Sequence, residues 1–113
     1  MRDISLYLKD IIDAMQAIEK FVEGMNFDEF VSDDKTASAV MRKFEIIGEA
    51  AKRVPDDIRI KYPQIPWKDM SGMRDRLIHF YFGIKYELVW KTIKDVIPAV
   101  MPLIKSMLEE IRS

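Results

Sequence analysis

The sequence predicts an all-α protein in which four main helices pack as an antiparallel bundle with short extra turns. Apolar residues recur at alternating steps of four and three along several long segments, which is typical of helices with one buried face. No segment alternates strictly between apolar and polar residues, as half-buried strands do. The chain has 113 residues, a length that fits one core, so we expect a single domain over residues 1–113.

The first predicted helix starts after Asp3, whose side chain is suited to an N-cap, and stops near Gly24. Asn26 is then positioned to cap a short helical turn. The apolar positions of this helix share the helical spacing throughout: Ile4, Leu8, Ile11, Met15, Ile18, Val22 and Met25.

The second helix is predicted from the capping cluster at 32–34 to Pro55, because proline cannot continue a helix. A proline-containing connector follows at 55–66, with one helical turn expected over Asp57–Ile60. The buried face of the second helix is predicted to contain Ala37, Val40, Met41, Phe44, Ile47, Ala51 and Val54.

The third helix is predicted to begin at Pro66 and to run unbroken until Gly83, a plausible residue for a helix C-terminus. The final helix extends from Tyr86 to Ile111 with the same apolar spacing. Pro98 falls inside it, and therefore we expect a kink or a restart of the helix near this point.

Composition excludes several classes of protein. The chain has no cysteine, which excludes a disulfide framework, a thiolate zinc site and a cysteine nucleophile. The net charge of −1 argues against an indiscriminately basic nucleic-acid binder, and we expect no DNA partner. Charges interrupt the apolar runs, so we expect no membrane span, no signal peptide and a cytoplasmic location.

The first helix carries more apolar residues than one buried face requires. Leu6, Tyr7, Ile12 and Phe21 lie beside its main stripe, and a small bundle would bury them only in part. One interpretation is a broad core face. The other, which we favour, is a homodimer interface, because symmetric pairing commonly covers such surface.

The segment 74–81 concentrates the residues suited to acid–base and phosphate chemistry. It holds His79, the one histidine of the chain, together with Arg74, Asp75, Arg76 and Tyr81. Histidine exchanges protons near neutral pH, and arginine offers a fixed fork of donors to phosphate. This set is suited to phosphoryl transfer without a metal or a cofactor, and we predict no metal site. From residue types alone, surface charges without a chemical role remain the alternative.

The spacing within this segment resembles a known family. Arg74, His79 and Tyr81 form an R-x4-H-x-Y motif like that of the HepT-like ribonuclease toxins, a branch of the HEPN superfamily. Further stretches are similar to that family in the same order along nearly the whole chain. They are Ile46–Arg53, Tyr62–Trp67, Tyr81–Ile84 and Leu88–Trp90. The chain is thus identified as a single HepT-like HEPN domain.

The resemblance implies an all-helical homodimer that acts as a metal-independent endoribonuclease on cellular RNA. It also implies a toxin–antitoxin pair, in which an MntA-type nucleotidyltransferase silences the toxin by transferring AMP to the motif tyrosine. By position, Arg74 and His79 become the catalytic residues, Tyr81 the AMP acceptor and Asp75 a supporting residue. Arg76 becomes a possible RNA contact. The alternative is a non-catalytic HEPN module that binds a nucleotide or scaffolds the transferase.

Helical geometry limits how these residues could act from one straight helix. At about 100° per residue, Arg74 and His79 would point about 140° apart. Either the helix loosens before His79, or a second subunit completes the site. Asp75 and His79 are four residues apart, so a continuous helix would place them on one face.

Overall fold

The computed structural model describes residues 3–79 and 83–113, and for His79 it describes the backbone alone. The first half of the chain forms four helices, and their bounds are α1 Ile4–Phe21, α2 Phe27–Ser32, α3 Asp34–Lys52 and α4 Asp56–Arg59. Side chains cap three of them as predicted. Asp3 accepts from the Ser5 amide, Asn26 and Glu29 form a capping box, and Asp33 accepts from the Thr36 amide.

The second half is more divided than the sequence predicts. Its elements are α5 Trp67–Ser71, α6 Met73–Leu77, strands β1 Ile78–His79 and β2 Gly83–Ile84, α7 Tyr86–Lys91, a π-helical segment Thr92–Val96, and α8 Ile97–Arg112. The strands pair antiparallel, with Ile78 opposite Ile84 and His79 opposite Gly83. The described part of the chain is thus largely helical, which confirms the predicted class.

The core lies where α1 packs against α3 and against α8. Most of their predicted apolar stripes are buried, and Leu8, Phe44 and Ile104 have no exposed surface, whereas Ile111 at the end of α8 is 36% exposed. α3 also packs closely against α5, because Gly48 has no side chain. A Cβ at Gly48 would lie 3.3 Å from the Met70 carbonyl oxygen. This contact fixes the polypeptide that leads into α6.

The carboxyl end of α3 is held by a side chain from α4. Arg59 donates from Nη2 to the Ala51 carbonyl at 2.7 Å and from Nε to the Val54 carbonyl at 2.9 Å. The Ala51 carbonyl also accepts from the Val54 amide at 3.2 Å, and a cation at this end of the helix suits the helix dipole. The proline-containing connector is therefore anchored to α3.

The predicted unbroken third helix is wrong. It is interrupted at Gly72, and the helix that resumes ends at Leu77 rather than near Gly83. The Leu77 carbonyl accepts from the Lys85 amide at 2.8 Å, a bond that joins the chain before and after the two strands. Gly83 has φ +84° and lies in β2, so it serves the strand pair instead of terminating a helix.

The predicted disturbance of the final helix is confirmed, and it takes the form of a wider helical turn. The π-helical segment comes immediately before Ile97 and Pro98. Proline cannot donate to the carbonyl four residues earlier, and its ring crowds that carbonyl. A π turn relieves this conflict, and the Thr92 hydroxyl also donates to the Leu88 carbonyl at 2.7 Å. α8 then continues through Pro102 to Arg112.

The apolar surplus on α1 is only partly exposed. Ile12 is buried in the core and Tyr7 packs against it, whereas Leu6 and Phe21 are 40% and 39% exposed. The broad-core interpretation therefore accounts for two of the four residues. No helix in the described residues is long and apolar enough to cross a membrane.

Candidate ribonuclease site

α6 is a short helix that displays its charges because its ends are buried. Met73 and Leu77, four residues apart, turn toward the core and are 6% and 2% exposed. The three residues between them, Arg74, Asp75 and Arg76, are all exposed. The apolar pair thus orients the charged part of the motif toward solvent.

Arg74 reaches across to α3. Its Nε lies 3.9 Å from Oε2 of Glu45, and the same carboxylate oxygen lies 3.8 Å from Nη1 of Arg42. The Arg74 side chain is 61% exposed, so water screens this ion pair and weakens it. The guanidinium consequently lies near Glu45 without being enclosed by it.

Arg76 turns to the other side of α6 and pairs with α5. Its Nη1 lies 3.1 Å from Oδ1 of Asp69, and both side chains are more than half exposed. Residues two apart on a helix point about 200° apart, which explains why Arg74 and Arg76 meet different neighbours. The structure therefore separates the two arginines.

His79 lies beyond α6, because β1 begins at Ile78. The prediction that His79 occupies a last helical turn is therefore wrong, and so is the helical face shared by Asp75 and His79. Of the two alternatives given above, the helix does end before His79, so the 140° separation of a straight helix does not apply, and completion of the site by a second subunit stays a prediction. The His79 side chain and Tyr81 lie outside the described residues.

Two partners of the motif arginines, Glu45 and Asp69, escaped the sequence analysis. Glu45 lies on α3, far from the motif in the chain, and carries no local signal of this contact. Asp69 and Arg76 are seven residues apart, a spacing that puts two residues on one side of a continuous helix, and here the ion pair spans the break at Gly72. No group of three His, Cys, Asp or Glu side chains in the described ranges could hold a metal ion.

Comparison with known proteins identifies the family of this chain. The model of the HepT-like family, described as ribonuclease HepT-like, matches residues 11–107. A ribonuclease HepT candidate of Thermococcus cleftensis is 48% identical over 94 residues, which cover 83% of this chain and 86% of that protein. A candidate RNase of Methanocaldococcus jannaschii is 44% identical over 110 residues, which cover 97% and 91%.

A third relative gives the same result. A candidate RNase of Caldanaerobacter subterraneus is 40% identical over 104 residues, which cover 92% of this chain and 93% of that protein. No solved structure matches the chain significantly. The family match spans most of the sequence and includes the motif at 74–81. The chain therefore belongs to the HepT-like ribonuclease family of the HEPN superfamily.

Proposed function

We propose that this protein is the toxin of a toxin–antitoxin pair and a metal-independent endoribonuclease, with Arg74 and His79 as its catalytic residues. The observation that carries the proposal is the R-x4-H-x-Y motif within a HepT-like chain whose Arg74 is exposed on the short helix α6. The relatives named as ribonucleases support RNA as the substrate.

The chemistry requires attack by a ribose 2′-hydroxyl on the adjacent phosphate. The 2′-oxygen forms a bond to phosphorus, the bond to the 5′-oxygen breaks, and a 2′,3′-cyclic phosphate results. His79 takes the proton of the 2′-hydroxyl, and the imidazolium returns a proton to the departing 5′-oxygen. Arg74 stabilises the negative charge that accumulates on the phosphate oxygens in the transition state. In this scheme Asp75 supports the imidazole and Arg76 contacts RNA.

The proposed active protein is a homodimer in which motif residues of two subunits meet. Leu6 and Phe21 support a paired surface, because they remain about two-fifths exposed on α1. Sedimentation of the purified chain should give twice the monomer mass. Leu6→Glu should shift it toward monomer and reduce RNA cleavage, whereas Ile60→Glu, a change at a more exposed apolar residue, should leave the mass unchanged.

We further propose that an MntA-type nucleotidyltransferase is the antitoxin and that it transfers AMP to Tyr81. The position of Tyr81 in the motif supports this assignment. Incubation with such an enzyme and ATP should add one AMP to the protein and abolish cleavage. The Tyr81→Phe variant should not gain the mass of AMP, and AMP found on this variant would refute the assignment.

Expression of the chain alone tests the nuclease itself. Wild type should arrest growth and fragment RNA, leaving cyclic phosphate ends, and EDTA should not prevent the cleavage. Arg74→Ala and His79→Ala should abolish both effects, whereas Arg112→Ala, at an exposed arginine near the end of α8, should retain them. Cleavage that survives His79→Ala would refute the assigned site. A wild type that neither arrests growth nor cuts RNA would favour the non-catalytic module.

A further inference from the structure

A cavity of about 260 Å³ lies beside the motif, between α5 and α6 on one side and α7 with the π-helical segment on the other. Its walls are mainly apolar and include Met70, Met73, Leu88 and Val96. The volume is slightly below the roughly 300–1,000 Å³ typical of pockets for drug-sized ligands. A flat aromatic ring system suits such a space better than a complete nucleotide does.

Four polar side chains also line this cavity and could orient a bound ligand. They are Asp69, Arg76, Lys91 and Thr92. Thr92 is 7% exposed and uses its hydroxyl proton on the Leu88 carbonyl, so its oxygen is left to accept. Lys91 is an exposed cation suited to a phosphate of a bound strand, and Arg76 is exposed beside it. The apolar walls therefore suit a nucleobase, and the polar rim suits the sugar-phosphate backbone next to it.

The pair formed by Asp69 and Arg76 carries acceptors and donors that could distinguish one base from another. A carboxylate can accept two N–H donors that lie side by side, and among the four RNA bases guanine alone presents two on its Watson–Crick edge. A guanidinium pairs well with the neighbouring O6 and N7 acceptors of guanine. One Arg76 nitrogen lies 3.1 Å from one Asp69 oxygen, so each group retains further atoms for a base.

We propose that this cavity binds one unpaired guanine base of RNA, with Asp69 and Arg76 as the residues that determine specificity. The proposal rests on the ribonuclease function and defines its substrate further. Arg74 and Arg76 lie on opposite sides of α6, and a helix is about 10 Å across. A single strand that crosses α6 can therefore place a phosphate at Arg74 and a nearby base in the cavity. Unpaired bases are what proteins read most readily in RNA.

Direct binding tests the cavity without any need for catalysis. In protein labelled with ¹³C at the methionine methyl groups, 5′-GMP should shift the Met70 and Met73 signals at millimolar concentration. The nucleotides 5′-AMP, 5′-CMP and 5′-UMP should shift them at least about tenfold less readily, the discrimination that a bidentate contact supplies. An absent response to 5′-GMP, or an equal response to all four nucleotides, would overturn the proposal.

Cleavage of RNA oligonucleotides that differ at one position tests the consequence. Wild type should prefer guanine at one site relative to the cut, and Asp69→Asn should reduce that preference about tenfold. Asp57→Asn, a change of an exposed carboxylate on α4, should leave it unaltered. Binding of 5′-GMP without RNA cleavage would retain the base site and reject the nuclease. Cleavage with neither a base preference nor 5′-GMP binding would support the nuclease and reject the base site.

Discussion

Removal of the Glu45 charge should strengthen RNA binding by the proposed nuclease. In the structure, the Glu45 carboxylate lies 3.9 Å from Nε of Arg74. A phosphate that binds Arg74 has to compete with this carboxylate. Glu45→Gln keeps the size of the side chain and removes the competing charge. We therefore expect a lower KM for RNA and little change in kcat.

The geometry limits the size of this effect. Two unit charges about 4 Å apart attract by about 1 kcal/mol in water. Arg74 and Glu45 are 61% and 36% exposed, and exposed pairs of this kind contribute about 0.2–1 kcal/mol. Glu45 is also shared with Arg42, which places the effect within that range rather than above it. Since 1.4 kcal/mol corresponds to a factor of ten, KM should fall by at most about fivefold.

Steady-state cleavage of a fluorescent RNA at two salt concentrations measures this effect. The gain should shrink when ionic strength rises from about 0.01 M to about 0.15 M, because the screening length falls from about 30 Å to about 8 Å. Glu49→Gln is the matched control, since Glu49 lies one turn further along α3 and pairs with Lys52 at 3.8 Å. A tenfold loss of kcat in Glu45→Gln would refute the argument and make Glu45 essential for positioning Arg74.

Three further predictions concern stability, each measured by thermal or denaturant unfolding. Arg59→Met should lower the free energy of unfolding by about 2 kcal/mol, because two carbonyls at the end of α3 lose a charged donor; an unchanged midpoint would refute this. Gly48→Val should cost about 1–3 kcal/mol, because its side chain would meet the Met70 backbone; wild-type stability would show that α5 shifts freely. Tyr62 donates to Glu110 at 2.7 Å, which raises the Tyr62 pKa above its usual 10.0. The stability from this bond is therefore complete below that pH and lost as pH rises through the raised pKa. Tyr62→Phe should be less stable than wild type at neutral pH and equally stable at the alkaline end, and a difference that persists there would contradict the assignment.

The starts of the early helices could be predicted because their causes are local. Asp3, Asn26 and Asp33 each accept from an amide two or three residues ahead. Such a bond needs nothing from the rest of the chain. The long apolar stripes of α1, α3 and α8 could be predicted for the same reason, since burial follows helical spacing within one segment.

The division of the third predicted helix could not be inferred in the same way. Met70, Met73 and Leu77 keep a spacing of three and four and are all buried, although the helix is interrupted at Gly72. The end of α6 depends on the bond from the Lys85 amide to the Leu77 carbonyl. Bonds between distant backbone groups leave no trace in hydrophobic spacing, so the pattern alone favoured one continuous helix.

The candidate site divides along the same line. The motif at 74–81 identified the residues through resemblance, whereas their partners come from α3 and α5. The Glu45 contact depends on the packing of α6 against α3, which is distant in sequence. The Asp69 contact spans the break between α5 and α6. The resemblance therefore proposes which groups of the motif take part in chemistry, and packing shows which carboxylates lie beside two of them.

The buried pair of α6, Met73 and Leu77, also explains why the two arginines of this segment have different neighbours. Met73 and Leu77 define an inward direction, and at about 100° per residue Arg74 and Arg76 diverge to either side of it. Asp75, between them, points almost directly away from the core. Arg74 consequently meets α3 and Arg76 meets α5. The proposed binding of a phosphate at Arg74 and of a base near Arg76 therefore requires no movement of α6, because the helix already places the two arginines on separate sides.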